Sequence, residues 1–382
     1  MKKHKICIIG DGLSGLITAQ ILGKLDVEID LISKKSEKKN IDNRVTAISP
    51  SNYKFISEFL PQKDLKFFFE CKKVNLYHEN ENNNYVNFMN FENSKKNIIL
   101  TVENKNLKKI LIKNIRKNKK IKIFKEKISK IDSNKTRICF KNKERYYDMI
   151  FLCMGKNQRI VEKLIGKRFI QEDKKEIAFT CLVNHSLNVI ESKQYFLKEG
   201  PMALLPINSK KFSLIWSVNK SYRQYKDNEI NKLVTLKLNN IFSKNTKFNL
   251  DKINRFPIYF KFHRNFFQNN IFAIGDSVYS VFPIAGQGFN LVLRDIQELY
   301  KKIKESISIG LQLKDSLIFN DLISNRKPEN LLYGLGIDLT QKFFRYSKLT
   351  APIKNNLLKD IDKFPFLKKI GLKISDKGII NN

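Results

Sequence analysis

The chain has 382 residues, with 72 Lys and Arg against 37 Asp and Glu and a formal net charge of +35. That length is enough to bury a sizeable core in two or three packed units, and no apolar run reaches the ~18 residues of a membrane span. The lysine excess runs through every segment together with Asn and Ile, so it reads as a compositional bias with no local basic patch. Nucleic-acid binding is therefore not expected.

The N-terminus runs from Lys-Lys-His straight into an apolar strand, Lys5–Ile9, so a leader peptide is not expected. The strand enters Gly10-Asp11-Gly12-Leu13-Ser14-Gly15 and then a helical pattern, and a second strand follows at Val27–Ile32. Gly10 allows a tight turn, Gly12 lets backbone approach a pyrophosphate, and Gly15 permits close packing of helix on strand. Gly10, Gly12, Leu13, Ser14 and Gly15 are thus candidate dinucleotide contacts. The acidic residue expected after the second strand, to hold a ribose, is replaced by Ser33-Lys34-Lys35. A helix is expected over 49–60. Residues 75–97 are polar, with Tyr77, Tyr85 and Phe88 alternating as in half-exposed strands. A basic helix follows at 107–118, then strands at 122–131 and 136–140.

Tyr147–Cys153 is apolar apart from Asp148, as in a strand buried within a parallel sheet. From about Lys175 to Val218 the period becomes two, in 178–184, 194–197, 203–206 and 212–218. These segments predict an antiparallel sheet inserted between two halves of a nucleotide fold, with Trp216 in its core. A helix is expected over 228–242, and the chain beyond about Leu311 reads as helical. The cysteines (Cys7, Cys71, Cys139, Cys153, Cys181) are odd in number and lack metal-ligand spacing. Cys7, Cys139, Cys153 and Cys181 lie in apolar runs and are expected in the core. His4, His78, His185 and His263 form no spaced cluster, so no metal site is expected.

The segment 271–295 is the most informative. A short strand ends in Gly275-Asp276, crosses a turn containing Pro283, Gly286 and Gly288, and enters an amphipathic helix at about Gln287. Asp276 can accept bonds from hydroxyls, and free N–H groups at the helix start face negative charge. The expected organisation is an α/β, Rossmann-like nucleotide domain from 1–74, 98–170 and 268–305. A mainly antiparallel substrate sheet comes from 75–97 and 171–267, and a helical region from 306–382.

With both glycine segments located, the chain resembles the FAD-dependent aromatic monooxygenases, specifically the ubiquinone-biosynthesis hydroxylase family. Gly275-Asp276 followed by Pro283-Ile-Ala-Gly-Gln-Gly-Phe-Asn-Leu-Val-Leu-Arg-Asp295 is similar to that family's second FAD signature. Asp42-Asn-Arg44-Val-Thr-Ala-Ile-Ser49, Val102-Glu103-Asn104 with Leu107, and Gly200-Pro-Met-Ala-Leu-Leu-Pro206 resemble three further elements in the same order. Two departures stand out. The family's Ala-Asp-Gly-x-x-Ser appears as Cys153-Met154-Gly155-Lys156-Asn157-Gln158, and the histidine before Pro-Ile-Ala-Gly is Phe282.

The resemblance implies the aromatic hydroxylase fold and flavin monooxygenation, in which a flavin C4a-hydroperoxide transfers oxygen to the ring of a polyprenylated phenol on the way to ubiquinone. FAD is the implied cofactor, with NADPH, NADH or a ferredoxin-type donor as reductant. Pro283, Gly286, Gln287 and Gly288 would form the flavin-facing loop. Arg44, Asn104, Gly155, Asp276 and Asn290 would join the glycines as cofactor contacts. Alternatives are a same-fold enzyme acting on another aromatic or isoprenoid, and a catalytically silent flavoprotein of a quinone-biosynthesis complex. A cytoplasmic location is expected. Phe343, Phe344, Tyr346, Phe364, Phe366 and Leu367, with Lys342, Lys348, Lys363, Lys368 and Lys369, suit peripheral contact with an anionic membrane, or packing against the substrate sheet.

Overall fold

The computed structural model describes residues 3–33, 42–155, 158–242, 246–282, 288–314, 320–344, 358 and 364–378. Strands His4–Ile9, Val27–Ile32, Ile121–Phe124, Met149–Leu152 and Ile271–Ala273 pair in parallel within a six-stranded sheet, with Phe267–Gln268 antiparallel at one edge. These strands are apolar on both faces because helices cover both. The helix Leu13–Leu22 is buried along its length from Gly15 onward. It packs against the helix Asn104–Lys117 and the long helix Gly288–Ser308. Ser49 starts the helix Pro50–Ser57 by accepting the Asn52 N–H, and Pro50 follows where its missing donor does no harm.

The second unit is a nine-stranded sheet built around the 17-residue strand Phe169–His185. One face packs Phe179, Cys181, Tyr195, Met202 and Trp216 against the helix Asp227–Ile241, through Ile230, Val234 and Leu238. The other face turns toward the nucleotide unit. There Leu182 and Leu205 meet Val45 and Ala47 of a small sheet formed by Val45–Ile48, Ile99–Glu103 and Phe69–Cys71, and Ala178 and Ile258 meet Phe282. The helix Asn320–Phe344 also closes on this face. A Cβ at Gly334 would lie 3.1 Å from Phe260, Gln341 donates to Glu176 at 2.6 Å, and Phe344 stacks on Phe196 at 3.8 Å.

Two sequence expectations are corrected. The strand expected at 122–131 divides: Ile121–Phe124 joins the parallel sheet, while Lys130–Asp132 starts a separate three-stranded meander with Arg137–Cys139 and Glu144–Tyr146. Cys139 is only half-buried, because that meander is an edge structure, whereas Cys7, Cys71, Cys153 and Cys181 are buried. The inserted sheet is mainly antiparallel as expected, with Ser192–Phe196 running parallel to Lys73–Glu79. No helix among the described residues is long and apolar enough to cross a membrane. No three His, Cys, Asp or Glu residues among them are placed to hold a metal.

Candidate functional site

The carboxyl ends of parallel strands are where an open α/β sheet receives ligands, and the glycines of this chain gather there. Gly10 has φ +122°, and a Cβ on it would sit 2.1 Å from the Cys153 carbonyl oxygen; one on Gly15 would sit 2.0 Å from that of Gly10. These two positions press strand, turn and helix together. Gly12 differs: nothing lies within 4 Å of a Cβ there, and the residue is exposed. The helix that Gly12 caps has no side-chain cap and no acid in its first turn, so no side chain satisfies the N–H groups at its start. Gly155, at φ +57°, also has nothing within 4 Å. Gly275, at φ +67°, brings the second glycine segment against Ser14, whose Oγ would be 2.9 Å from an added Cβ. An exposed, uncapped helix start walled by glycine backbone fits the pyrophosphate of a dinucleotide such as FAD.

A polar cluster stands at the same mouth. Arg44 donates to Asp42 through Nε and Nη2, both at 2.8 Å, and Asn104 Nδ2 donates to the same carboxylate at 3.1 Å. Thr46 Oγ1 fixes Asn104 by donating to its Oδ1 at 2.6 Å. Burial works to raise the Asp42 pKa, but the bonds from Arg44 and Asn104 outweigh it and hold the carboxyl below its ordinary range. The Asp42 bonds raise the Arg44 pKa, burial opposes them, and the exposed Asp276 adds its charge. The guanidinium also lies 5.0 Å from the Phe256 ring centroid, so it bridges the nucleotide unit and the substrate-side sheet. Sequence reading had singled out Arg44 and Asn104. It missed Asp42, Thr46 and Phe256 as their partners, although Asp42 stands only two residues before Arg44.

Other candidates are held by the protein itself. Asn290 is 1% exposed, and its amide accepts from Ser49 N and donates to the Ala47 carbonyl. The signature helix is thereby tied to the strand Val45–Ile48. Tyr279 is buried and donates to Asp295 at 2.6 Å. Asp295 also accepts from Arg326 and Asn330 of the helix Asn320–Phe344. Gly288 is the first residue of the signature helix. Pro283, Gly286 and Gln287 lie outside the described residues. Ser33, where a ribose-binding acid was expected, is buried and bonded to the Phe124 carbonyl. Met154, in place of the family aspartate, packs against the core, and its N–H donates to Ser277 Oγ at 2.9 Å. That bond joins the Cys153–Gly155 turn to the Gly275–Ser277 turn.

Comparisons with known proteins agree with this geometry. The FAD-binding domain family matches residues 159–310. The mitochondrial ubiquinone biosynthesis monooxygenase COQ6 of Dictyostelium discoideum is 29% identical over 183 residues, covering 40% of this chain and 37% of that protein. The 3-demethoxyubiquinol 3-hydroxylase of Escherichia coli is 24% identical over 186 residues, covering 48% of this chain and 44% of that protein. The chain thus matches less than half the length of either relative. Among solved structures, p-nitrophenol 4-monooxygenase PnpA of Pseudomonas putida superposes with a TM-score of 0.79 at 14% identity, covering 97% of both chains. HpxO of Klebsiella pneumoniae, complexed with FAD and uric acid, superposes at 0.74 with 11% identity, covering 97% of this chain and 96% of that one. The fold is that of the FAD-dependent aromatic hydroxylases, and FAD is the cofactor that the family match supports.

Proposed function

We propose that this chain, an FAD-binding protein similar to the ubiquinone-biosynthesis hydroxylases, hydroxylates the ring of a polyprenylated phenol or quinol with O2. The single observation that carries the reading is the juxtaposition at one crevice of the open glycine mouth, the Arg44–Asp42–Asn104 cluster and the face of the inserted sheet. When bound, FAD supplies the oxygen chemistry: its reduced ring reacts with O2 and passes one oxygen atom to an electron-rich ring. The chain's own residues bind, orient and exclude water. The backbone at Gly12, Leu13 and Ser14 receives the pyrophosphate, and Asp276 accepts from cofactor hydroxyls. Arg44, locked by Asp42 and facing Asp276, supplies fixed positive charge between cofactor and sheet. Gly155, Asn104 and the Gly286–Gly288 turn complete the proposed set, and Asn290 holds its helix in register. Ala178, Ile258 and Phe282 keep water from the sheet side.

The reductant in this reading is NADPH, NADH or a ferredoxin-type protein. Met154 in place of the family aspartate favours a second reading, a flavoprotein that organises a quinone-biosynthesis complex without turning over. Peripheral contact with an anionic membrane is part of the proposal too. The terminal helix Pro365–Lys377 exposes Phe366, Leu367 and Ile370 beside Lys369 and Lys373, an apolar stripe flanked by positive charge. The deciding experiment expresses the chain in bacterial strains that each lack one ubiquinone ring hydroxylase and follows quinone intermediates by mass spectrometry. Restored ubiquinone in one strain supports hydroxylation and names the ring position. FAD-loaded, folded protein that restores none points to a missing electron donor, a different substrate or the silent partner.

A further inference from the structure

A cavity of about 180 Å³ opens between the end of the helix Asn320–Phe344 and the strand ends of the large sheet. Its walls include Glu176, Phe196, Pro201, Gln341 and Phe344. The Gln341–Glu176 hydrogen bond and the Phe196–Phe344 stack cross it, so helix and sheet are pinned together around the opening. On the strand Ser192–Phe196, side chains alternate between faces. Tyr195 packs into the core shared with the helix Asp227–Ile241, whereas Phe196 lines the cavity. Gln194 therefore faces the same side as Phe196, one strand repeat of about 7 Å deeper. Its cross-strand neighbours are Ala203 and Leu76, both apolar, so neither offers the amide a side-chain partner.

Gln194 is 3% exposed, yet its side-chain oxygen has no hydrogen-bond partner among the described residues. Its amide nitrogen has only a 3.4 Å contact with the neighbouring Tyr195 carbonyl. A buried amide left in that state is destabilising, and native chains keep such groups when something else completes them. Whatever completes this one must pass a mouth lined by Glu176 and Gln341 as well as by stacked rings, supply a hydrogen-bond donor such as a hydroxyl for the oxygen, and tolerate aromatic neighbours.

We propose that Gln194 receives the ring hydroxyl of the substrate phenol and that the cavity closed by Phe196 and Phe344 is the route to it. The assignment rests on the phenol reading above and deepens it by naming a specificity-determining residue. Gln194 presents both a donor and an acceptor, so it can serve a hydroxyl in either direction. Leu76, Phe88 and Met89, which pack with Phe196 and Phe344, give the apolar remainder of the ligand a surface beside that amide.

The test measures binding, independently of turnover. Equilibrium dialysis of FAD-loaded full-length protein compares 2-geranylphenol with geranylbenzene, which differs only in lacking the hydroxyl. The wild-type chain is expected to prefer the phenol by about tenfold, the range of one buried hydrogen bond. Gln194→Leu and the closer isostere Gln194→Met should bind the two ligands alike. Removal of an unpartnered buried amide should also leave Tm unchanged or raised. An undiminished preference in both variants overturns the assignment, as does a wild-type chain without a preference. Loss of the hydrocarbon together with the phenol in both variants also overturns it, since that would mark general distortion. Hydroxylation is assayed separately. A chain that discriminates through Gln194 but never hydroxylates would sink the enzymatic reading and leave this one standing.

Discussion

Two polar clusters arise from sequence segments that look equally like cofactor motifs, and they have opposite surroundings. Asp42, Arg44 and Asn104 meet at the rim of the crevice, where Arg44 keeps 47% of its side-chain surface exposed. Asn290, Arg294 and Asp295 of the signature helix are turned inward. Arg294 is 6% exposed, and its Nη2 donates to the Ser375 and Asp376 carbonyls at the end of the terminal helix. Asp376 in turn accepts from Ser51 N at 2.7 Å, at the start of the helix Pro50–Ser57. The rim cluster is therefore open to a ligand, whereas these residues of the signature helix hold together the helices that present the glycine backbone. Motif membership alone does not tell which residue does which; burial and partners do.

The largest effects should come from the glycines, where that division can be tested within six residues. Gly10→Ala would force a Cβ to 2.1 Å from the Cys153 carbonyl oxygen at a positive φ. The expected loss is on the order of 4 kcal/mol or more, at the exceptional end for one substitution, and little soluble protein should be recovered. Gly12→Ala meets nothing within 4 Å, so Tm of the cofactor-free protein should hardly move while FAD content falls severely. Thermal melts and flavin absorbance on the two purified variants check this. Equal damage to apo stability in both would erase the distinction between packing and contact glycines.

His263 extends the buried side of the comparison. It is 1% exposed, and neither ring nitrogen has a partner among the described residues; Lys261, paired with Glu162 at 3.1 Å, lies two residues away. Burial, reinforced by the Lys261 charge, lowers its pKa to about 4. A base whose folded pKa is depressed binds protons more readily in the unfolded chain. Stability is therefore complete above the unfolded value near 6.5 and falls as pH drops toward about 4, by on the order of 3 kcal/mol. His263→Phe should flatten the pH dependence of urea midpoints across that window. A profile as steep as the wild type would assign the acid sensitivity to other groups.

How much of this was legible follows the same line. The parallel strands and glycine turns could be read because each requires a particular residue type at a fixed place: an apolar run buried on both faces, or a glycine under a close backbone approach. The period-two stretches gave the inserted sheet. What could not be read was long-range partnership. Nothing local in Arg294 says that it will bind carbonyls 81 residues away, and nothing in Gln194 marks it as a buried amide without a partner. The division of 122–131 was hidden because Lys and Ile recur on both sides of the break.

Removing Arg294 should disturb the scaffold more than the site. Arg294→Met deletes charge-assisted bonds to the end of the terminal helix, worth about 2–3 kcal/mol when their acceptors are left unsatisfied. The helix Pro365–Lys377 should then become the first segment cut by trypsin, which has Lys368, Lys369 and Lys373 to attack there. FAD affinity should change by less than about twofold. Protection equal to the wild type would mean that the Asp376–Ser51 contacts hold the helix unaided.

Arg44 is the mirror case and should have the smallest effect on stability. Its pair with Asp42 sits at a half-exposed rim, where ion pairs contribute about 0–1 kcal/mol, so Arg44→Met should barely shift Tm of the cofactor-free protein. The pair's pH signature is equally modest. Asp42 titrates below its ordinary range when folded, so its contribution is present above the ordinary carboxylate pKa of about 3.9 and lost only as pH falls through the lower folded value. Neutral-pH work will therefore not see it. The expected consequence lies in binding. Without the guanidinium, Asp276 and the Asp42 carboxylate face the pyrophosphate uncompensated, and FAD affinity should drop by about tenfold, with strong salt dependence. Arg44→Lys keeps the charge but loses the two-point grip on Asp42, so it should recover part of the affinity and little of its geometry. If Arg44→Met instead lowers apo stability as much as Arg294→Met and leaves FAD binding intact, the rim cluster belongs with the buried one. The crevice would then owe its cofactor to backbone alone.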